Sequence, residues 1–325
     1  MHFLKTFPSL VLMLLLAMLG FSATAQTSYP SNPVKLVVPL TAGSGADTAG
    51  RILAQSLGKA WKQTVVIENR PGAGGLIGTS AVVSAEPNGY TLLLQSAGYA
   101  SNTAIYAKLP YDPLKSLVEV AMIGVTPYVM VTAPDSGYKS IQDIVSAAKA
   151  KPGEVPFASV GLGSSTHFAA EHFAQAAGIN MLHVPYKGGP EAIQDVMAGR
   201  VAFTMASLST ALGQIRGGKL RALGLASKAR SDAAPDIATI AEQGFKDFDI
   251  SLWFGLWAPA GTPAGVVQKI TADVGRAMQD PELMASYAKI GIQPRAMNAE
   301  SFAAYVREEM KKYQFIAKEA RIAAQ

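Results

Sequence analysis

The sequence has no cysteine. That absence excludes disulfides, a lipid-anchored N-terminal cysteine, thiolate metal sites and cysteine nucleophiles. Charge is also scarce, at 16% of the 325 residues, while 49% are hydrophobic, which is the balance of a folded chain rather than a disordered one. Neither sign of charge is concentrated. The formal net charge is +5, and the densest basic run is the pair Lys311-Lys312, so no stripe for nucleic acid is present and no nucleic-acid partner is expected. Long apolar runs are missing too, apart from Leu10–Phe21. That run is too short to span a bilayer, which takes about 20 residues. With Lys5 before it and Ala23-Thr24-Ala25 after it, it reads as a secretory signal peptide cut after Ala25. Cleavage removes one lysine and no acidic residue, leaving +4. The expected mature protein is exported, carries no lipid anchor, and depends on its core alone for stability.

The rest of the chain is organised around Val34–Leu53. An apolar run, Leu36–Leu40, reads as a buried strand; it enters the loop Thr41-Ala-Gly43-Ser44, and Ile52, Leu53, Leu57 and Trp61 are spaced for one face of a helix. Ser44-x-x-Asp47 stands where a capping box would start that helix, with Asp in place of Glu or Gln. Strand, small-residue loop and capped helix aim several backbone N–H groups at one point, an arrangement suited to an anion. A carboxylate at Asp47 would repel such a ligand, so its expected work is to hold the loop by hydrogen bonds.

The same layout recurs. Thr64–Glu68 and Tyr90–Leu94 read as strands, ending in Asn69–Gly78 and Gln95–Gly98. Val120–Val125 and Tyr128–Thr132 read as two further strands around a crossing at Thr126-Pro127. Beyond it come a helix at Ile141–Ala150, a strand at Val155–Val160, the loop Gly161–His167 and its helix Phe168–Ala177. Strands at Met181–Val184, Val201–Met205 and Leu220–Ala226 follow, with a helix at Glu191–Met197 and the polar stretch Ser207–Thr210. Ser251–Ala258 reads as a strand, and Ala264–Met278, Pro281–Ile290 and Glu300–Ala320 as helices. Alternating strands and helices imply parallel sheets flanked by helices, in two α/β domains with the second inserted into the first. Ligands bind beyond the carboxyl ends of such strands. Here those ends carry Gly43–Asp47, Gly72–Gly75, Ser96–Gly98, Gly161–His167 and Ser207–Thr210, all small, polar or glycine-rich.

Enzymatic readings fare less well. Leu94-Gln-Ser96-Ala-Gly98 lacks the first glycine of a nucleophile elbow, and no Asp is placed to orient His167, His172 or His183. Gly72-x-Gly74-x-x-x-Gly78 resembles a dinucleotide fingerprint, but the acidic residue expected after the next strand is missing, so no cofactor is expected. His167-x-x-x-Glu171 fits an i,i+4 surface pair as well as a metal site, and no metal is expected. An exported hydrolase using Ser96 or Ser164 with His167 stays as the enzymatic alternative. Tyr186-Lys-Gly-Gly189 reads as a turn before a helix, with a cleft-edge role as the alternative.

Many motifs in order then resemble one family. Tyr29-Pro-Ser-Asn-Pro-Val-Lys-Leu-Val-Val-Pro39, Gly43–Asp47, Glu68-Asn-Arg-Pro-Gly-Ala-Gly-Gly75, Pro87-Asn-Gly-Tyr-Thr91 and Gly163-Ser-Ser-Thr-His167 are similar to the Bug-type solute receptors. Val184-Pro-Tyr-Lys-Gly188, Gly218-Lys-Leu-Arg-Ala222 and Trp257-Ala-Pro-Ala-Gly-Thr-Pro263 extend the resemblance over the mature chain. These are the extracytoplasmic receptors of tripartite tricarboxylate transporters. The resemblance implies a periplasmic, non-enzymatic, monomeric protein with a two-lobed Venus-flytrap fold, each lobe a mostly parallel sheet with flanking helices. The lobes would be residues 26–125 with 227–325, and residues 126–226. It would capture a small organic carboxylate for a permease of one large and one small subunit, or alternatively for a signalling partner. Carried over residue by residue, the first-lobe ligand contacts are Thr41, Gly43, Ser44, Asp47, Ala73, Gly74, Ser96 and Ala97. Those of the second lobe are Ser164, Ser165, Thr166 and His167. Family members commonly carry Asp where this chain has Ala202 and Ala206. Their replacement points away from an amino acid, whose ammonium would want a counter-charge, and toward an aromatic or aliphatic mono- or dicarboxylate. Leu40, Ala202, Phe203 and Ala206 are the residues expected to shape that distal end, and Ser207 of the stretch Ser207–Thr210 is a further expected ligand contact.

Overall fold

The computed structural model describes residues 29–320 and Ile322, so the signal peptide expected at 1–25 lies outside the described residues. The chain runs β1 (Val34–Val38), α1 (Gly45–Trp61), β2 (Val65–Asn69), α2 (Leu76–Val83), β3 (Thr91–Ser96), α3 (Gly98–Ile105) and β4 (Leu117–Thr132). It continues through α4 (Ile141–Ala150), β5 (Pro156–Ser159), α5 (Ser165–Ala177), β6 (Leu182–Pro185), α6 (Gly189–Met197), β7 (Phe203–Ser207), α7 (Leu208–Arg216) and β8 (Arg221–Leu225). It closes with β9 (Ser251–Pro259), α8 (Ala264–Ala277), α9 (Pro281–Lys289), β10 (Gln293–Met297) and α10 (Ala299–Glu319). Among the described residues no helix is long and apolar enough to cross a membrane.

Two half-sheets share one strand. In the first, β2, β1 and β3 are parallel, and β9 and β4 join antiparallel. In the second, β6, β5 and β7 are parallel, and the far half of β4 pairs antiparallel with both β7 and β8. The two strands expected around Thr126-Pro127 are therefore a single strand of 16 residues. Pro127 opposes Ser251 at the last pairing with β9, and Tyr128 opposes Ser207 at the first pairing with β7. A missing N–H is tolerated at that change of partners, where it would break the middle of a ladder.

The sequence explains the individual elements. Covered on both faces, β1 is a nearly unbroken apolar run, as a central parallel strand must be. Ser44 caps α1 with its hydroxyl, and Ala46, Ala49, Leu53, Leu57 and Trp61 form its buried stripe. Three elements escaped the sequence reading. The first, α3, has no side-chain cap and includes Gly, Ser and Asn; α7 begins inside a polar stretch; and β10 is a largely exposed edge strand containing a proline.

Aromatic packing ties the halves together. Trp257 lies 4.6 Å from Tyr99 of α3 and 5.0 Å from Phe302 of α10, ring centre to ring centre. Tyr313 of α10 meets Phe168 of α5 edge-on at 5.3 Å. The last helix thus spans the back of the molecule. The carboxyl ends of β1 and β3 face those of β5 and β7 across a cleft on the other side.

Candidate functional site

Four helices begin on this cleft, because each follows a strand that points into it. Their first residues are Gly45 (α1), Ser165 (α5), Gly189 (α6) and Leu208 (α7). The first N–H groups of a helix have no intrahelical acceptor, so each start presents free donors and a partial positive charge.

The first loop is held rigidly. Gly43 N donates to Asp47 Oδ2 at 2.9 Å, Asn69 Nδ2 donates to Asp47 Oδ1 at 2.9 Å, and Arg51 Nε donates to Oδ2 at 3.0 Å. Burial raises the Asp47 pKa, but the Arg51, Gly43 and Asn69 hydrogen bonds with the Arg51 charge outweigh it and hold the carboxylate below its ordinary value. Only half of the expected capping box forms. Asp47 N donates to Ser44 Oγ at 3.3 Å, whereas Ser44 N donates to the Thr41 carbonyl at 3.2 Å and the Asp47 carboxylate reaches one residue further back, to Gly43. Gly45 and Ala46, whose N–H groups have no intrahelical acceptor, line the cleft.

The second-lobe loop has a matching design. Ser164 Oγ accepts from His167 N at 3.3 Å and donates to the Gly161 carbonyl at 2.6 Å, so Ser164 is the cap and the helix starts earlier than the sequence pattern indicated. Thr166 Oγ1 accepts from Val160 N at 3.0 Å and lies 3.1 Å from Ser164 Oγ. Each loop is also held from the opposite side of the cleft. Thr41 Oγ1 donates to Glu191 Oε2 at 3.3 Å, and Ser101 Oγ donates to the Gly163 carbonyl at 2.7 Å. A β-carbon added to Gly45 would lie 2.6 Å from Ser209 Oγ and 2.9 Å from Ser207 Oγ, so α1 and α7 start almost in contact.

Between them is a cavity of about 510 Å³, its mouth included. Donors come from the loops and helix starts at Ser44, Gly45, Ala46, Ser96, Ser165, Thr166, Gly189, Ser207 and Thr210. Leu40, Val160, Ile193, Ala206, Leu252 and Phe254 supply apolar walls and floor, and Thr204 completes the lining. Among the described residues none that lines it is charged. Such a site can hold a small anion through oriented amides and hydroxyls, with the ligand's hydrocarbon on the floor.

The family model described as "Tripartite tricarboxylate transporter family receptor" matches residues 49–322. The chain belongs to that receptor family. The receptor is 35% identical over 315 residues to protein BugT of Bordetella pertussis (strain Tohama I), covering 94% of this chain and 97% of the relative. Two solved structures agree with its fold. The R. palustris protein Rpa4515 with adipate has a TM-score of 0.89 at 29% identity, covering 91% of this chain and 100% of that one. MatC from Rhodopseudomonas palustris with bound malate has a TM-score of 0.84 at 27% identity, covering 89% and 99%. The two-lobed periplasmic binding protein fold expected from the resemblance is the fold observed.

Seven of the residues expected at the site line the receptor's cavity: Leu40, Ser44, Ser96, Ser165, Thr166, Ala206 and Ser207. The others do not. Thr41 is on the rim, and Gly43 and Asp47 lock the loop from behind. Ala73 is exposed, while Gly74 abuts the carbonyl of Leu162 and the amide of Ser164. Ala97 is fully buried, with its N–H given to the Trp253 carbonyl, and Ser164 is consumed in capping. Ala202 and Phe203 are at the opposite end of β7 from the cleft, where Ala202 O accepts from Thr132 Oγ1 and Phe203 packs on Phe157.

His167 points inward, away from the cavity. It is 3% exposed, so it forms no surface pair with Glu171, and its ring stacks on His183 at 4.0 Å. Burial and the His183 charge press its pKa down to about 3; burial presses His183 to about 4. Burial also raises Glu171, 3.7 Å from His167 Nε2, so both shifts run toward neutral partners. Sequence reasoning missed Gly45, Ala46, Val160, Gly189, Ile193, Thr204, Thr210, Leu252 and Phe254. Gly45, Ala46, Gly189 and Thr210 belong to stretches already singled out, Gly43–Asp47, Tyr186–Gly189 and Ser207–Thr210. Nothing in the apolar run Ser251–Ala258 marks Leu252 and Phe254 as facing a cleft.

Proposed function

We propose that this receptor captures a small organic carboxylate between its lobes and delivers it to a tripartite tricarboxylate transporter permease from the periplasm. The observation that carries the reading is the convergence of four helix N-termini, from both lobes, on a cavity with no charged lining side chain. Helix termini stabilise an anion without a fixed counter-ion. Relatives of the same fold carry adipate and malate. The lobes are taken as residues 26–125 with 227–325, and 126–226, with the monomer as the working unit; the partner change within β4 near Pro127 supports that division.

Binding without chemistry accounts for the hydroxyls. Ser96 Oγ lies 3.4 Å from Gln95 Oε1, Ser164 Oγ donates to the Gly161 carbonyl, and His167 Nδ1 accepts from Gly163 N. Neither serine is activated by an imidazole in this arrangement. The hydroxyl that does meet a histidine, Ser159 with His183 at 2.6 Å, is completely buried.

A thermal-shift screen of the mature protein tests the proposal, using aliphatic diacids, phthalate isomers, hydroxy acids, amino acids and nicotinate. A ligand present at 100 times its Kd adds about 2.7 kcal/mol, enough to raise the melting temperature by several degrees. No shift with any acid, or turnover of generic esters, overturns the reading.

A further inference from the structure

We infer that the ligand is a small acid whose body is bare hydrocarbon, aliphatic or aromatic, without a hydroxyl, an amino group or a third carboxylate. The inference rests on the proposal above and narrows it. Its ground is the division of labour inside the cavity.

The floor comes from β9, where Leu252 and Phe254, two residues apart, share the face turned to the cleft. Trp253 between them points the other way and donates its Nε1–H to Glu309 at 2.8 Å. Val160, Ile193 and Ala206 extend the apolar surface into the second lobe, and Leu40 into the first. A hydrocarbon segment placed there exchanges water for carbon contacts.

Polar capacity is one-sided. The groups without an intrahelical partner are donors, the amides of Gly45, Ala46, Ser165 and Thr166 in the first turns of α1 and α5. Among the described residues no Asp, Glu, Asn, Gln or His side chain lines the cavity, so an ammonium meets no counter-charge and a hydroxyl's hydrogen meets no strong side-chain acceptor. The hydroxyls present are largely committed. Thr204 Oγ1 donates to the Ala158 carbonyl at 2.8 Å, Thr166 Oγ1 already accepts from Val160 N, and Ser207 and Ser209 pair with each other at 2.6 Å. Nor, among the described residues, does any Lys or Arg line the cavity to neutralise a third carboxylate. Carboxylates are matched to the donors, whereas the hydrogens of an ammonium or of a ligand hydroxyl find no carboxylate, amide or imidazole side chain to accept them.

Matched acids test this with the wild-type protein alone. Calorimetric titrations would compare succinate, malate and aspartate, then glutarate, 2-hydroxyglutarate and glutamate, and finally tricarballylate. Within each trio the carbon chain is constant. The unsubstituted diacid is expected to bind 10- to 100-fold more tightly than its hydroxy analogue, the range a hydrophobic pocket gives against one added hydroxyl, and by more than that over its amino analogue. Malate, aspartate or their five-carbon counterparts binding as tightly as the plain diacid overturns the inference while leaving the acid-receptor reading in place. No binding by any of these acids, together with a flat thermal-shift screen, overturns the receptor reading itself.

Discussion

Replacing Gly188 by alanine should block lobe closure while leaving both lobes folded. Gly188 has φ −167° and ψ 171°, an extended conformation that alanine adopts without strain. What it lacks is room. An added β-carbon would sit 1.8 Å from Thr41 Oγ1 and 2.8 Å from both Thr41 Cβ and Glu191 Oε2. Rotating the threonine side chain removes the first contact but leaves the second, since Cβ is fixed by the backbone. The lobes must therefore separate at this rim or the loop must shift. Overpacking of this kind costs about 1–3 kcal/mol, which would weaken ligand binding about 5- to 150-fold if it falls on the closed state alone. Calorimetry with an acid from the screen gives the affinity, and small-angle scattering with and without ligand gives closure. The melting temperature of the unliganded variant should match wild type or exceed it. Adding Thr41→Gly should restore most of the lost affinity, because it removes both threonine atoms from the contact. Wild-type affinity in Gly188→Ala, or a large fall in its unliganded melting temperature, would refute the reasoning.

Further expectations follow from the same contacts. Asp47→Asn removes a buried carboxylate that accepts from Gly43, Asn69 and Arg51, and should cost about 1–3 kcal/mol in urea unfolding, with weaker acid binding through a loosened loop. Ser44→Ala removes the cap of α1 and should cost about 1 kcal/mol, read in the same experiment. Acid should destabilise the protein through its stacked histidines. Their folded values, about 3 and 4, are below the unfolded 6.5, so between those limits the unfolded chain binds more protons and stability rises with pH. Stability is then lost as pH falls from 6.5 toward 4, with the pair contributing up to about 2.7 kcal/mol per pH unit. A His167→Gln/His183→Gln variant should show a shallower fall in urea midpoint over that range; an unchanged slope would count against the buried-pair account.

Much of this was legible because the architecture repeats a strong local signal. The apolar strand before Gly43–Asp47, the hydroxyl at a helix start and the small residues between them are set by short-range rules, and they placed Ser44, Ser165 and Thr166 on the cleft. Distinctions that depend on direction were not legible. His167 is one residue past Thr166, yet at the third helical position its ring turns into the core beside His183. Ala202 just precedes β7 and Ala206 lies within it, but only Ala206 is near the end that reaches the cavity. Leu252 and Phe254 sit in an uninterrupted apolar run, where no polar alternation shows which face a neighbouring lobe leaves open. Thr126-Pro127 reads as a break because proline cannot complete a ladder, and only the exchange of partners at that point lets β4 run through it.

The central claim is that this cleft recognises negative charge through helix termini and hydroxyls. Titrating the acid that shifts melting most, beside its own primary amide, tests that claim most directly. The shape is retained and the charge is lost, so charge-assisted hydrogen bonds become neutral ones at a cost of about 1 kcal/mol each. With two such bonds weakened, the amide should bind about 30-fold more weakly or not measurably. An amide that binds as well as the acid would contradict the account.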